Sequence, residues 1–116
     1  MRRWPAQPMR ADATSTASME PPKMDEARVI RNFEIINVKG LHARASARFV
    51  EVVEAHDAKA TVRRDGLSAA GDSIMGLLML AASMGTTIEV ETKGPEAEEL
   101  ANALATLIGD RFGEDN

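Results

Sequence analysis

The chain has 116 residues, enough for one small domain, and 44% of them are apolar, as in an ordinary soluble globular protein. Its net charge of −4 argues against general nucleic-acid binding, which usually needs a basic surface. The absence of cysteine excludes disulfides and thiolate metal sites, and no apolar run approaches the ~20 residues of a membrane helix. We therefore expect a cytoplasmic protein with no metal, cofactor, nucleic-acid partner or membrane association.

Residues 1–28 differ in composition from the rest of the chain. They contain four of the five prolines, many Ala, Ser and Thr residues, and no apolar periodicity, which is typical of disorder. We interpret them as a disordered N-terminal extension and residues 29–116 as one folded domain. An alternative is that Met24 is the true start of the protein.

The folded domain begins with a predicted strand and a predicted helix. Residues 33–37 are largely apolar and predict a strand, which the following Gly40 ends. The spacing of apolar residues then predicts a helix over residues 43–55. Its expected apolar face comprises Ala43, Ala47, Val50 and Ala55, with Phe49 and Val53 beside them.

A hairpin and a second helix follow. Residues 59–64 and 67–70 predict two strands, and Asp65-Gly66 between them is a strong signal for a two-residue turn. Ser73 is placed to open the next helix, which Gly85 is expected to close. The expected core stripe of this helix comprises Ile74, Leu77, Leu78 and Ala81.

The last strand and helix complete the order β-α-β-β-α-β-α. Residues 86–91 alternate with Ile88 and Val90 inward, and Pro95 is expected at the first position of the last helix. The buried side of that helix is expected to comprise Leu100, Leu104, Leu107 and Ile108. This order predicts an α+β sandwich, in which a four-stranded antiparallel sheet carries three helices on one face. The other face is expected to be polar, with Glu34, Arg63, Glu89 and Glu91.

His42 stands where the first strand pattern ends and the first helix pattern begins. A helix N-terminus offers unpaired backbone N–H groups and a partial positive charge. A phosphoryl group on the His42 ring would therefore meet the N–H groups of Ala43 and Arg44, with the Arg44 guanidinium near enough to help. The alternative is that His42 is an idle surface cap. His56 at the helix C-terminus is interpreted as structural, because the helix dipole favours a cation there.

Two further features concern the second helix. Ser73 at its start is expected to be an N-cap. The same helix is crowded with the apolar residues Ile74, Met75, Leu78 and Met79, some of which must belong to the core, and Met75 falls off the inward stripe. An exposed apolar patch beside His42, with Arg48 as a nearby positive group, would suit docking to several partners. The alternative is that these apolar residues all belong to the core.

Two segments carry a resemblance to a known family. Residues 40–47 (GLHARASA) resemble the active-site signature of HPr, the histidine-containing phosphocarrier of the bacterial phosphotransferase system, and residues 72–81 (DSIMGLLMLA) resemble that family's regulatory serine segment. The resemblance covers about residues 29–112 and implies an HPr-like open-faced sandwich. It implies that His42 is phosphorylated on Nδ1, that Arg44 contacts the phosphoryl group, and that Ser73 is a target of HPr kinase/phosphatase.

The function implied by this resemblance is phosphoryl relay. The chain would accept the phosphoryl group from enzyme I, charged by phosphoenolpyruvate, and donate it to EIIA-type proteins, as a monomeric carrier more than an enzyme in its own right. The alternative is a regulatory binding module of a nitrogen-related branch, whose phosphorylation state is a signal. A third interpretation is a small ferredoxin-like binding domain in which the histidine has no function.

The sequence departs from the family pattern in two places. Ala45 stands where many members have proline, although alanine should still allow the helix to form. Glu51 and Glu54 occupy a helix face that is often basic in relatives, which puts the partner contacts on that face in doubt.

Overall fold

The computed structural model describes residues 27–116. Its strands are β1 (Arg28–Glu34), β2 (Lys59–Arg64), β3 (Leu67–Ala70) and β4 (Thr87–Lys93), and its helices are α1 (Ala43–Glu54), α2 (Ile74–Met79) and α3 (Ala97–Gly109). A short 3₁₀ turn at Arg111–Gly113 follows α3. The strands form one antiparallel sheet in the order β1-β4-β2-β3. The predicted β-α-β-β-α-β-α order is confirmed.

The sheet has one apolar face and one polar face, because side chains alternate along each strand. Val62 of β2 is paired with Val90 of β4, and both are buried in the core under the helices. On the opposite face, Arg63 makes ion pairs with Glu89 at 3.1 Å and Glu91 at 2.7 Å. The expected polar face is thus confirmed as a band of paired charges.

The β2–β3 hairpin has the predicted strand limits and the predicted turn. Asp65 and Gly66 both have positive φ, at 49° and 82°, as a type I′ turn requires. The backbone twist of a type I′ turn matches the right-handed twist of the two flanking strands. The turn residues therefore set the register of the hairpin.

The first strand lies earlier than predicted. β1 spans Arg28–Glu34, whereas the apolar pattern indicated residues 33–37. The strand follows its partner β4, and their pairing ends at Glu34 opposite Thr87. The charged residues Arg28 and Arg31 interrupt the apolar pattern, so the sequence did not indicate a strand there. In the structure Arg28 forms an ion pair with Glu91 at 3.3 Å, and Arg31 forms one with Glu98 at 3.5 Å. The expected extension, residues 1–28, lies outside the described residues except for Ala27 and Arg28.

The second helix is shorter than predicted. α2 ends at Met79, with Leu80 as its C-cap, and does not continue to Gly85. Beyond it the chain buries Leu80 and Ala82, and Ala81 lies between them with φ of 51°. The expected core stripe is therefore wrong at Ile74 and Ala81, which are exposed. Leu77 is the buried residue of this helix.

The buried faces of the other two helices also differ in part from prediction. In α1 the buried residues are Ala45, Ser46, Phe49, Val50 and Val53, while Ala43 and Ala55 are exposed. α3 begins at Ala97 after the N-cap Glu96, two residues beyond Pro95, and buries Leu100, Leu104 and Ile108 as expected. Leu107 is only half-buried. A helix with Ala45 in its first turn does form, as expected.

Candidate functional site

The loop before α1 is held against the segment that follows α2. Leu41 is buried, and its N–H donates to the carbonyl of Ala82 at 2.8 Å. Gly40 has φ of 67°, and a Cβ at this position would lie 2.6 Å from the same carbonyl oxygen. Only glycine fits such a left-handed, close approach without strain. These two residues therefore fix the point at which the chain enters α1.

His42 is the N-cap of α1, as the sequence predicts. Its backbone is extended, and its carbonyl accepts the N–H of Ser46 at 2.8 Å as the first hydrogen bond of the helix. The ring nitrogen Nδ1 accepts a hydrogen bond from the backbone N–H of Arg44 at 3.3 Å. The side chain is 26% exposed. Nδ1 thus faces the helix N-terminus, where unpaired backbone N–H groups favour an anion.

The other ring nitrogen meets a carboxylate from the end of the chain. Nε2 of His42 contacts Oε2 of Glu114 directly. The second carboxylate oxygen of Glu114, Oε1, accepts a hydrogen bond from Nδ2 of Asn37 at 3.0 Å. Asn37 is fully buried, and its Nδ2 also donates to the carbonyl of Gly40 at 2.8 Å. Asn37 therefore links the loop before His42 to the carboxylate that touches its ring.

The ionisation of Glu114 reflects these contacts. Burial of its carboxyl opposes ionisation, but hydrogen bonds from Asn37 and His42, with the electrostatic influence of His42 and then of Lys39, outweigh burial and lower its pKa below the ordinary glutamate value. Hydrogen bonds to the charged form act in this direction. Glu114 is therefore a carboxylate at neutral pH.

A left-handed turn brings Glu114 to the site. After α3, Arg111 and Phe112 have φ of 55° and 56°, and Gly113 has φ of 79°. Residues other than glycine persist in this conformation where the surrounding structure compels it. Here Phe112 is fully buried, and Nη1 of Arg48 donates to its carbonyl at 2.7 Å. The C-terminal segment is therefore anchored at Phe112, two residues before Glu114.

Three cationic residues lie around a shallow depression beside this segment. The depression has a volume of about 350 Å³, and Lys39, Arg44 and Arg48 line it together with residues 113–116. Arg44 is exposed, so its guanidinium is free to reach an anion. Arg44 thus contributes to the site in two ways. Its backbone N–H donates a hydrogen bond to Nδ1 of His42, and its charged side chain lines the depression.

Ser73 is the N-cap of α2, as predicted from the residues alone. Its hydroxyl oxygen accepts the backbone N–H of Gly76 at 3.0 Å, and the residue is half-buried. Ser73 therefore sits at a helix start in the same way as His42. Its role as a phosphorylation target stays a prediction.

The residues predicted to dock partners are accessible. Ile74 is 39% exposed, Met75 69% and Met79 74%, so the alternative that they all belong to the core is wrong. Arg48 is exposed overall, although one of its nitrogens is engaged by Phe112. Glu51 and Glu54 are exposed as well. Docking by these residues stays a prediction.

Asn37 and Glu114 were missed by reasoning from the sequence. Asn37 was counted as the end of the first strand, and Glu114 follows the predicted last helix. The Asn37-Val38-Lys39-Gly40 stretch does contain a turn signal, but nothing in the sequence pairs it with a carboxylate 77 positions away.

The second histidine, His56, makes a local contact with the backbone at the end of α1. Nδ1 of His56 donates to the carbonyl of Val52 at 2.7 Å, as a residue with a structural role would. Within residues 27–116, no three His, Cys, Asp or Glu side chains are grouped so that they could hold a metal ion. None of the helices in the described part of the chain is long and apolar enough to cross a membrane.

Comparisons with known proteins cover nearly all of the described domain. A family model described as "PTS HPr component phosphorylation site" matches residues 29–110. The chain is similar to the phosphocarrier protein HPr of Cupriavidus necator, with 44% identity over 84 residues that cover 72% of this chain and 94% of that protein. It is also similar to the phosphocarrier protein NPr of Escherichia coli, with 39% identity over 88 residues that cover 75% and 98%.

A solved structure supports the same comparison. The structure of HPr-C-His from Thermoanaerobacter tengcongensis is similar to this chain with a TM-score of 0.73 and 34% identity, and covers 76% of this chain and 99% of that one. The open-faced sandwich expected from the sequence is thus confirmed at the level of the whole domain.

Proposed function

Because the chain belongs to the HPr family of phosphocarrier proteins, we propose that Nδ1 of His42 accepts a phosphoryl group from phosphoenolpyruvate-charged enzyme I and passes it to an EIIA-type acceptor. One observation carries this proposal. Nδ1 lies at the N-terminus of α1, where the backbone N–H of Arg44 is 3.3 Å away. A phosphoryl group bound to a nitrogen in this position lies at the helix N-terminus, which is an anion-binding site.

The chemistry is a direct exchange of bonds at phosphorus. The lone pair of Nδ1 forms a bond to phosphorus while the bond between phosphorus and the donor atom breaks, and its electron pair stays with the donor. Catalysis of this step depends on alignment and on neutralising the charge of the phosphoryl oxygens. The N-terminus of α1 and the exposed guanidinium of Arg44 supply that charge.

Partner docking is proposed for the exposed apolar residues of α2. Ile74, Met75 and Met79 are accessible, and Arg48 adds a positive group on the adjoining α1. Methionine side chains adapt to surfaces of different shape, which suits a carrier that must meet a donor and an acceptor in turn. The same surface would serve both, so donor and acceptor would bind in succession.

The test is phosphorylation by purified enzyme I and labelled phosphoenolpyruvate. We expect an acid-labile phosphohistidine, and we expect none with His42→Ala. His56→Ala is the matched control, because the chain has only two histidines, and it should accept label like the parent. Equal labelling of the parent and of His42→Ala would refute the assignment.

The similarity to NPr favours a second candidate, in which the phosphorylation state of His42 is a signal in a nitrogen-related branch and not a step of sugar transport. The two candidates share the site and differ in the acceptor. Phosphorylated protein offered to a sugar-specific EIIA and to a nitrogen-related EIIA at equal concentration should transfer faster to its own partner. The preferred acceptor decides between transport and regulation.

Regulation through Ser73 forms a separate part of the proposal. HPr kinase/phosphatase with a nucleotide would give an acid-stable phosphoserine at the N-cap of α2, where a helix N-terminus favours the added charge. That charge beside the docking residues would slow phosphorylation of His42. Unchanged transfer kinetics in a Ser73-phosphorylated protein would count against this link.

A further inference from the structure

We infer that Glu114 is a positioning residue, which holds the His42 ring in the tautomer with its proton on Nε2 and thereby reserves Nδ1 for the phosphoryl group. The inference deepens the proposed function and rests on it for the identity of the reaction. It starts from one contact, between Nε2 of His42 and Oε2 of Glu114. Glu114 itself does not touch the atoms that exchange bonds.

The two hydrogen-bond partners of the ring specify the same tautomer. A carboxylate can only accept a hydrogen bond, so the nitrogen facing Glu114 must carry the proton. A backbone N–H can only donate, so the nitrogen facing Arg44 must present its lone pair. The second partner of a histidine commonly decides which nitrogen is free to react. The lone pair is therefore at Nδ1 before any partner binds.

Asn37, which takes no part in the reaction, helps to keep Glu114 ionised, because a hydrogen bond to a carboxylate favours its charged form. Asn37 is buried and donates to Oε1 at 3.0 Å. This bond leaves Oε2 directed at the ring. The lowered pKa of Glu114 agrees with this arrangement.

The same contact matters when charge develops on the ring. Attack by Nδ1 forms the bond to phosphorus and leaves the ring with a positive charge, because Nε2 keeps its proton. No proton has to leave, and the adjacent carboxylate offsets the charge. When the phosphoryl group moves on, the Nδ1–phosphorus bond breaks, its electron pair returns to Nδ1, and the ring is neutral again. A buried carboxylate supports the general-base histidine of serine proteases in a comparable way.

The position of Glu114 is set before the reaction. The segment that carries it leaves α3 through three consecutive positive φ angles, with Phe112 buried and its carbonyl bound by Arg48. The backbone N–H of Val38 also donates to the carbonyl of Asn116 at 3.3 Å. A group held from both sides in this way needs no rearrangement when charge appears.

A competing account treats Glu114 as a simple repulsive charge near the phosphoryl group. The two accounts predict opposite signs for Glu114→Gln, which removes the charge and keeps the shape. Repulsion predicts faster phosphorylation of the variant, and positioning predicts slower phosphorylation. Asp115→Asn is the matched control, because Asp115 is an exposed carboxylate that lines the same depression.

The experiment uses the full chain without any partner protein. Nitrogen NMR of the imidazole ring at neutral pH reports the tautomer, and phosphoramidate supplies the phosphoryl group, with phosphorus NMR showing which nitrogen receives it. We expect the parent and Asp115→Asn to carry the proton on Nε2 and to be phosphorylated at Nδ1. Glu114→Gln should lose Nδ1 phosphorylation about tenfold in rate, with ring signals shifted toward a mixture of tautomers.

Two results would overturn the inference. One is a parent ring with its proton on Nδ1, which needs no variant and is unaffected if Glu114→Gln folds poorly. The other is a folded Glu114→Gln that is phosphorylated as fast as the parent or faster. Both measurements omit enzyme I, so a failure of the proposed relay would be seen separately, in the labelling of His42 by enzyme I.

Discussion

Arg48 donates a hydrogen bond from Nη1 to the backbone carbonyl of Phe112 at 2.7 Å, and this bond joins α1 to the segment that ends the chain. The donor is charged and the acceptor belongs to a residue whose side chain is fully buried. One arginine, predicted from the sequence only as a docking group, therefore also helps to hold Glu114 beside His42.

Arg48→Met should lower the free energy of unfolding by about 1–2 kcal/mol, because a hydrogen bond from a charged donor is lost. Urea unfolding followed by circular dichroism would measure this. Arg44→Met is the control for stability, since its guanidinium is exposed, and it should change the free energy by less than about 0.5 kcal/mol. Equal losses in the two variants would show that the bond to Phe112 contributes nothing specific.

Gly40→Ala should be strongly destabilising, because alanine would have to adopt φ of 67° with its Cβ 2.6 Å from the Ala82 carbonyl. A loss greater than about 1 kcal/mol is expected in thermal or urea unfolding. Gly109→Ala is the matched control. It lies at the end of α3 with open space around the added Cβ, and it should be neutral or slightly stabilising. A neutral Gly40→Ala would contradict the loop geometry that places His42.

Ser73→Ala should cost about 1 kcal/mol of stability, because the hydroxyl that caps α2 through Gly76 is removed. Ser73→Asp should keep most of that stability, since aspartate is also a good N-cap. If the proposed regulation holds, Ser73→Asp will nevertheless slow phosphorylation of His42 by enzyme I. Ser68→Ala, at an exposed serine of β3, controls for the loss of a hydroxyl in general.

The exposed methionines offer a test of docking by steady-state kinetics. Met75→Ser and Met79→Ser should raise the KM for enzyme I several-fold with little change in kcat, because uniform binding is lost. Leu67→Ser is the control, as an exposed apolar residue at the start of β3. If all three variants raise the KM alike, the apolar surface of α2 is not the specific contact.

Acid should weaken the polar face of the sheet through Glu91. The hydrogen bond from Arg63, opposed in part by burial and aided by the charges of Arg63 and Arg28, lowers the pKa of the Glu91 carboxyl. The unfolded chain then binds more protons than the folded chain as the pH falls. The stabilisation is fully present above the unfolded pKa of about 4.3 and is lost as the pH falls through the lower folded value.

Glu91→Gln should therefore lower stability at neutral pH, by about 0.5–1 kcal/mol, because the Glu91 side chain is only 14% exposed but that of its partner Arg63 is 41% exposed. The difference from the parent should disappear in strong acid, where Glu91 is protonated in both states. Urea unfolding across the acid range would measure it, with Glu51→Gln as the control at an exposed glutamate of α1. A constant difference at every pH would exclude the ion pair as its cause.

Local signals accounted for much of this structure. The Asp65-Gly66 turn and the two strands beside it followed from the residues alone, because such a turn depends on φ angles that only a few residues adopt. His42 and Ser73 were also placed correctly as N-caps, because a capping hydrogen bond joins residues only two or three positions apart. The resemblance of two short segments then supplied the family.

Contacts between distant residues decided the rest. β1 begins five residues earlier and ends three residues earlier than its apolar pattern, because pairing with β4 determines where it begins and ends. α2 stops at Met79 because the chain beyond it buries Leu80 and Ala82.

The contact between His42 and Glu114 spans 72 positions. Sequence periodicity reports which face of an element is apolar, but it carries no information about which distant segment packs there. The sequence by itself identified His42 as the candidate nucleophile, because its place at the start of a helix is a local feature. The carboxylate that would hold its proton was decided by the fold, through the burial of Phe112 and the left-handed turn beside it.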